Sequence, residues 1–278
     1  MKIISKEVIA DYSGVRIVKL VLLSVQISQK AKAGQFVVLM FSAHGERIPL
    51  TIVEADTSAG TISLIFQEAG LTTKLLGQLK AGDSLYALAG PLGRPTEIKN
   101  YGKVILIGGG VGIAEIYPVA KSLREAANNV TVIIGSRNKK LLILEEELRI
   151  AADEFFVVSD DGSSGVKGFT TDILQGLLKK DKYDFVYAVG PMPMMEKVSF
   201  ITRPFNISTV VSLNTLMVDA TGMCGCCRVS VGGKVKFSCI DGPEFDAHQI
   251  DWDELKKRNS MYLEKEKHIC NLQLKENA

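Results

Sequence analysis

Between Val218 and Phe245 the chain reads VDATGMCGCCRVSVGGKVKFSCIDGPEF, and this stretch restricts the fold most, because its donor residues must converge on one point. Asp219, Cys224, Cys227 and Cys239 stand at the C-x4-C-x2-C…C spacing that holds a [2Fe-2S] cluster, with aspartate in the first position. Gly222 and Gly225 let a loop wrap closely and aim backbone N–H groups at cluster sulfurs. Two thiolates one loop apart can also hold zinc, although zinc usually collects paired knuckles, whereas Cys239 stands alone twelve positions after Cys227. Unliganded thiols are the third reading. Cys226, lying between two candidate ligands, reads as a loop residue, and Cys270 as a free thiol in a charged tail.

Five cysteines in 278 residues, three of them clustered, make a metal-site pattern rather than an even, dispersed disulfide set. The N-terminal MKIISKEVIADYSG has no apolar core followed by a small-residue cleavage site, so no signal peptide is expected. Nor is there an uninterrupted apolar run of ~18 residues. The longest, from Val104, is cut by four glycines and a glutamate. The expectation is a soluble, cytoplasmic chain with no membrane partner. A net charge of +2 without a basic block argues against nucleic acid as a partner. The length suggests about two domains, and 46% apolar residues can fill two cores.

The first hundred residues read as β. Short β-branched and aromatic runs begin at Val15, Gly34, Arg47, Gly60 and Asp83, with turn signals such as KAG and SAG between them, which suggests a barrel or sandwich over residues 1–98. From residue 99 to 213 strand and helix patterns alternate, with strands starting near 104, 130, 155, 185 and 207. Connections long enough for helices imply parallel crossovers and a doubly wound α/β sheet. Residues 214–278 form the cluster loop and a tail. Such sheets bind ligands at the carboxyl ends of their strands, here marked by the glycine run Gly108-Gly109-Gly110-Val111-Gly112, by Ser136-Arg137, by Asp160-Asp161 and by Gly190-Pro191. A diphosphate approaches backbone N–H groups at a strand-to-helix turn only where side chains are absent. Glu115 is unfriendly to phosphate there, and reads as a first-turn carboxylate satisfying the helix's orphan N–H donors. Alone, the glycine run equally makes a plain turn.

In the β region, Arg47-Ile48-Pro49-Leu50-Thr51 offers a planar cation for a pyrophosphate and a hydroxyl for a flavin ring nitrogen, or else an exposed arginine on a strand edge. The segment from Gln67 through Gly70, Thr72 and Thr73 opens a helix, with donors for a phosphate or for ordinary capping.

The order of these pieces carries the specificity. R-x-P-L-T, then G-L-T-T, then a GGGVG-opened α/β domain with a late GP-x-x-M (Gly190, Pro191, Met194) resembles the ferredoxin–NADP reductase superfamily. The C-terminal cluster loop narrows this to electron-transfer subunits related to that of type B dihydroorotate dehydrogenase. Aspartate as first ligand, with GMCG-x-CRV and CIDGPEFDAH-x-ID-x-DEL, looks most like the small subunits of electron-bifurcating NADH-dependent ferredoxin:NADP oxidoreductases.

The resemblance implies FAD, a [2Fe-2S] cluster and NAD(H) as cofactors. Arg47, Pro49, Leu50 and Thr51 would hold the FAD, with Arg47 on the diphosphate and Thr51, the catalytic candidate, near the reactive ring edge. Leu50 stands where many relatives place a tyrosine, and Val189 where many place a cysteine. Gly70, Thr72 and Thr73 would take the other diphosphate face; Gly109, Gly110 and Gly112 would line the nicotinamide dinucleotide, with Asp160, Asp161 and Gly190 at neighbouring strand ends. Ser136-Arg137 with Lys139 and Lys140 leans chemically toward the extra phosphate of NADP, while the resemblance and Glu145 to Glu147 lean toward NAD(H), which is the expectation adopted.

The expected role is that of an electron-transfer subunit that exchanges hydride between NAD(H) and FAD. The cluster passes single electrons to a larger subunit, carrying a second flavin and [4Fe-4S] clusters, that reduces NADP and ferredoxin. Phe245 to Lys267 would dock on that partner or form a solvated helix. The alternatives are a type B dihydroorotate dehydrogenase electron-transfer subunit, which Asp219 in place of a thiolate disfavours, and a non-catalytic metal-binding assembly subunit.

Overall fold

The protein is described by a computed structural model covering residues 1–276, with side chains through residue 269. Cys270 therefore lies outside the residues whose side chains are described.

The N-terminal unit is an antiparallel sheet of β1 (Ile3–Tyr12), β2 (Val15–Leu23), β3 (Phe36–Met40), β4 (Ile48–Asp56), β5 (Thr61–Gln67) and β6 (Ala87–Leu92), in the order β1-β2-β5-β4-β3-β6. Short helices α1 (Val25–Ser28) and α2 (Leu71–Leu76) fill two of its connections. The sheet closes on itself because the segment entering β6 pairs back on the N-terminus: Ile3 N–H donates to Asp83 O at 2.8 Å and Leu85 N–H to Met1 O at 2.8 Å. Closure removes the exposed edges and leaves an interior of Ile3, Val18, Leu20, Leu22, Val37, Leu39, Ile62 and Leu64, all fully buried.

The second unit contains β7 (Lys103–Gly109), α3 (Gly112–Glu125), β8 (Asn129–Ser136), α4 (Glu145–Ile150), β9 (Glu154–Ser159), β10 (Val166–Lys167), α5 (Thr170–Lys180), β11 (Phe185–Val189), α6 (Met192–Thr202) and β12 (Ser208–Ser212). Its strands β7, β8 and β11 are near-continuous apolar runs because helices cover both faces of a parallel sheet. The sheet order is β10-β9-β8-β7-β11-β12, continued beyond β12 by Glu244–Asp246, and the chain reverses direction of winding between β7 and β11. At that switch point the turns leaving both strands meet.

The C-terminal unit adds β13 (Arg228–Val231), β14 (Lys234–Phe237), β15 (Glu244–Asp246), α7 (Trp252–Asn259) and α8 (Leu263–Glu276). Strands β13 and β14 form a hairpin, whereas β15 runs antiparallel to β12 and extends the second sheet. The expectation that Phe245 onward docks on a partner or lies in solvent is corrected for its first half. Phe245, Ala247, Ile250, Trp252 and Leu255 are buried in the second unit's core, where their apolar area is removed from water within the chain. The polar side of α7 and the whole of α8 stay exposed as far as their side chains are described.

Two contacts fix the units against one another. Outer-face residues Ala10, Ile17, Val53 and Ile65 of the barrel share one core with Ile113, Ala114 and Ile116 of α3. Glu244 of β15 accepts from Thr96 Oγ1 at 2.5 Å and from the phenol of Tyr187 in β11 at 2.8 Å. Burial pushes the Glu244 carboxyl above its ordinary value, and the two donors pull it back.

Candidate functional site

A cleft of about 1130 Å³ opens where barrel, parallel sheet and cluster segment meet. It is larger than the roughly 300–1,000 Å³ that one drug-sized ligand occupies. One wall is β4 and β5, with Pro49, Leu50, Thr51 and Ile65; the facing wall is Gly109, Gly110, Gly112, Gly190, Pro191 and Met194 at the switch point; Asp160 and Arg137 stand at the far strand ends. Leu213, Asn214, Met217 and Pro243, which bracket the cysteine segment, complete the rim.

The glycine turn is shaped by two requirements. Gly110 has φ +57 and a Cβ there would meet nothing within 4 Å, so its missing side chain leaves the cleft floor open. Gly112 serves packing instead. A Cβ on it would stand 2.6 Å from Val189 O, so only glycine lets α3 start this close to β11. No side chain caps the start of α3.

Among the expected nucleotide residues, Asp161 is turned away: its carboxylate accepts from Asn138 Nδ2 at 2.5 Å and from Ser163 N–H at 2.9 Å. Thr73 lines the cleft, while Thr72 Oγ1 donates to Glu46 Oε2 at 2.5 Å, and Gly70 N–H donates to Thr73 Oγ1 at 3.0 Å. Arg47 lies just outside the cleft lining. Its Nη1 donates to Asp219 Oδ1 at 2.8 Å, so the residue expected at the flavin diphosphate touches the residue expected at the cluster.

Glu115 is where the sequence reading needs correction. Because α3 packs on β4, its carboxylate accepts from the hydroxyl of Thr51 instead of satisfying helix N–H groups. Burial pushes its carboxyl up from 4.5 to about 7, against the pull of Thr51 and with the negative charge of Glu244 adding to the rise. The folded chain thus keeps a proton that the unfolded chain releases, and stability from this group is complete below pH 4.5 and is lost as pH rises toward about 7. That interval is worth roughly 3 kcal/mol at about 1.4 kcal/mol per pH unit. In Glu115→Gln the group no longer titrates, so the variant should gain stability relative to wild type between pH 5 and pH 8. Thermal unfolding of both proteins at the two pH values measures this; an equal gap at both would refute it.

The cysteine segment folds against the outer face of β3. Cys227 and Cys239 are buried with their sulfurs 3.3 Å apart, in a shell of Phe36, Val38, Ala220, Leu92, Met217 and Phe237. Burial and the neighbouring Cys227 sulfur push the Cys239 thiol up to about 12, so Cys239 ionises only alongside a cation's charge. Backbone N–H groups of Cys226 and Asp219 point at the Cys224 sulfur and that of Gly222 at Cys239, in the manner of a loop built around sulfur anions. Cys226 is half-buried, and burial followed by its hydrogen bond with Cys224 raises its thiol. Ser238 Oγ and Thr215 Oγ1 are buried without a protein partner. Among the described residues no set of three or more side chains already stands in metal-binding geometry. Still, the donor types, the sulfur-directed N–H groups and the orphaned hydroxyls fit an iron–sulfur cluster. The glycine-floored cleft with Thr51 on its wall fits flavin and dinucleotide.

Sequence reasoning missed Phe36 and Met217. Both line the cleft and both belong to the apolar cluster that holds the buried thiols, so the two sites share a wall. Their signal was absent because a lone aromatic on a strand, such as Phe36, reads as core, and Met217 is a single apolar residue in irregular chain.

Comparison with known proteins agrees with this arrangement. Residues 214–251 match the family described as the iron–sulfur cluster binding domain of dihydroorotate dehydrogenase B, and residues 106–199 the oxidoreductase NAD-binding domain. The dihydroorotate dehydrogenase B electron-transfer subunit homolog of Thermotoga maritima is 48% identical over 244 residues, 88% of this chain and 86% of that one. The chain belongs to the dihydroorotate dehydrogenase B electron-transfer subunits and their homologues, within the ferredoxin–NADP reductase superfamily. The electron-transfer subunit of Bacillus caldolyticus is 32% identical over 90% of this chain and 97% of its own. A solved structure of an NADH-dependent reduced ferredoxin-NADP oxidoreductase superposes with a TM-score of 0.91 at 44% identity, covering 98% of this chain and 97% of that one. The fold and cofactor expectations hold: a closed antiparallel FAD unit, a parallel-sheet NAD(H) unit and a C-terminal iron–sulfur unit. No helix among the described residues is long and apolar enough to cross a membrane.

Proposed function

We propose that this chain is the NAD(H)-reacting subunit of an electron-bifurcating oxidoreductase. It would hold FAD mainly with residues 1–98, NAD(H) with residues 99–213 and a [2Fe-2S] cluster with residues 214–278. The observation that carries this is the shared wall of Phe36 and Met217, which sets the buried Cys227 and Cys239 directly behind the cleft that Thr51 and Gly110 face. NAD(H) and FAD supply a two-electron hydride exchange and the cluster a one-electron outlet. The protein's part is to bring two rings together and to place the cluster next to them. Thr51 orients the flavin edge with its hydroxyl, backed by Glu115; Gly110 leaves room for the nucleotide; Met194 and Pro191 close over the glycine turn and exclude water. Asp219, Cys224, Cys227 and Cys239 supply the ligands, and Cys226 none.

A larger subunit with a second flavin and [4Fe-4S] clusters would exchange electrons with this chain and hold the NADP(H) and ferredoxin sites. The support is the close structural likeness to the NADH-dependent enzyme together with aspartate at position 219. The family's naming favours a second reading, an electron-transfer subunit for dihydroorotate oxidation. The native complex decides between them. NADH should bleach its flavin faster than NADPH does, and ferredoxin should be reduced when NADPH and NAD are supplied together. Electron transfer from dihydroorotate to NAD instead would establish the second reading.

A further inference from the structure

We propose that Arg47 is a positioning residue for the carboxylate ligand of the cluster, so that one guanidinium joins the flavin-binding strand to the iron site. This rests on the reading that Asp219 is a ligand. Arg47 immediately precedes β4, whose next residues include Pro49, Leu50 and Thr51 on the cleft wall, yet 172 positions along the chain its Nη1 reaches Asp219 Oδ1 at 2.8 Å. The other carboxylate oxygen is also engaged, accepting from Thr221 Oγ1 at 2.6 Å. Two donors, one on each oxygen, fix the plane and rotation of a side chain that would otherwise swing freely.

Stability does not account for the pair. Arg47 is half exposed and Asp219 about a third exposed, and ion pairs in that setting contribute little. Its effect falls on the ligand. A carboxylate donates electron density through the oxygens that Arg47 and Thr221 hold, and partners of this kind tune both the ligand and the metal behind it. Arginine cannot lose its charge, and its planar fork keeps further N–H donors free when Nη1 is engaged by Asp219. A permanent cation beside the ligand favours the reduced, more negative cluster. The same residue adjoins the strand that lines the cleft, so the backbone of the flavin wall and the ligand carboxylate are tied by one side chain.

The experiment uses the full chain with its cluster and FAD in excess, so that flavin occupancy is equal across variants. Redox titration followed by EPR of the reduced cluster is run on wild type, Arg47→Ala, Arg47→Lys, Asp219→Cys and the double variant Arg47→Ala/Asp219→Cys, with circular dichroism as the check on folding. Arg47→Ala should lower the cluster midpoint and shift its EPR signal. Arg47→Lys should restore part of the midpoint, because it returns the charge without the fork. In the Asp219→Cys background, Arg47→Ala should have little further effect, since the carboxylate through which it acts is gone. An unchanged midpoint in Arg47→Ala, with Asp219→Cys altering the signal, would overturn the positioning role while leaving the ligand assignment standing. Equal shifts from Arg47→Ala in both backgrounds would mean that the charge acts without the carboxylate, which also overturns it. An unaltered EPR signal in Asp219→Cys would remove Asp219 from the ligand set and the proposal with it.

Discussion

Gly110→Val should slow reduction of the bound flavin by NADH by about 100-fold or more, the cost of displacing a reacting pair by an ångström or so, while flavin and iron stay in place. The turn at Gly110 faces open cleft, so a branched side chain there projects into the space that the diphosphate needs instead of into the protein. Valine also carries a backbone cost, because φ +57 is a conformation that L residues adopt at a penalty of ~1–2 kcal/mol. Gly82 separates the two effects. It has φ +96 with open space around it, lies in the barrel and does not line the cleft. Gly82→Val should therefore lose comparable stability and keep its NADH reaction. Stopped-flow bleaching of flavin absorbance reads both variants. Unchanged bleaching in Gly110→Val would detach the dinucleotide from this turn, and an equal loss in Gly82→Val would reduce the effect to strain.

The architecture was legible because its signals are periodic and local. Apolar runs such as VILIGG and VTVIIGS ending in glycine mark buried parallel strands whose crossovers need helices, and the short β-branched strands before Tyr101 mark an antiparallel unit. The cysteine spacing marks the cluster loop for the same reason: ligand geometry dictates sequence distance. What stayed hidden depends on contacts between distant segments. Nothing local to Glu115 shows that α3 will lie on β4 and bring its carboxylate to Thr51, because that approach is set by packing of Ile17, Val53 and Ile65 against α3. Arg47 meeting Asp219 is invisible for the same reason. The tail was misread because its charges, DELKKR, mask Trp252 and Leu255, whose spacing of three places both on one buried helix face. Asp160 and Asp161 are adjacent in sequence, so composition cannot tell which faces the cleft; Asn138 decides it by holding Asp161.

Cys227→Ala should strip the chain of iron, whereas Cys226→Ala should retain it, although the two residues are neighbours. The difference comes from where each side chain points. Cys227 is buried against β3, with its sulfur 3.3 Å from that of Cys239 and apolar side chains around both. Removing it takes a buried sulfur donor out of the site and puts a methyl group against Cys239, in an apolar shell with no other side chain among the described residues to replace the lost ligand. The fall in iron affinity should exceed the ~10–100-fold that loss of an outer-shell partner costs. Cys226 contributes mainly through its backbone. Its carbonyl accepts from Arg258 Nη2 at 2.9 Å and its N–H points at the Cys224 sulfur, and alanine preserves both. Its own thiol only hydrogen-bonds with that of Cys224. Iron and sulfide content after anaerobic reconstitution, with the visible spectrum of each variant, tests the pair. Equal iron loss from both variants would exchange Cys226 into the ligand set, and a colourless, zinc-containing wild type would replace the iron site altogether.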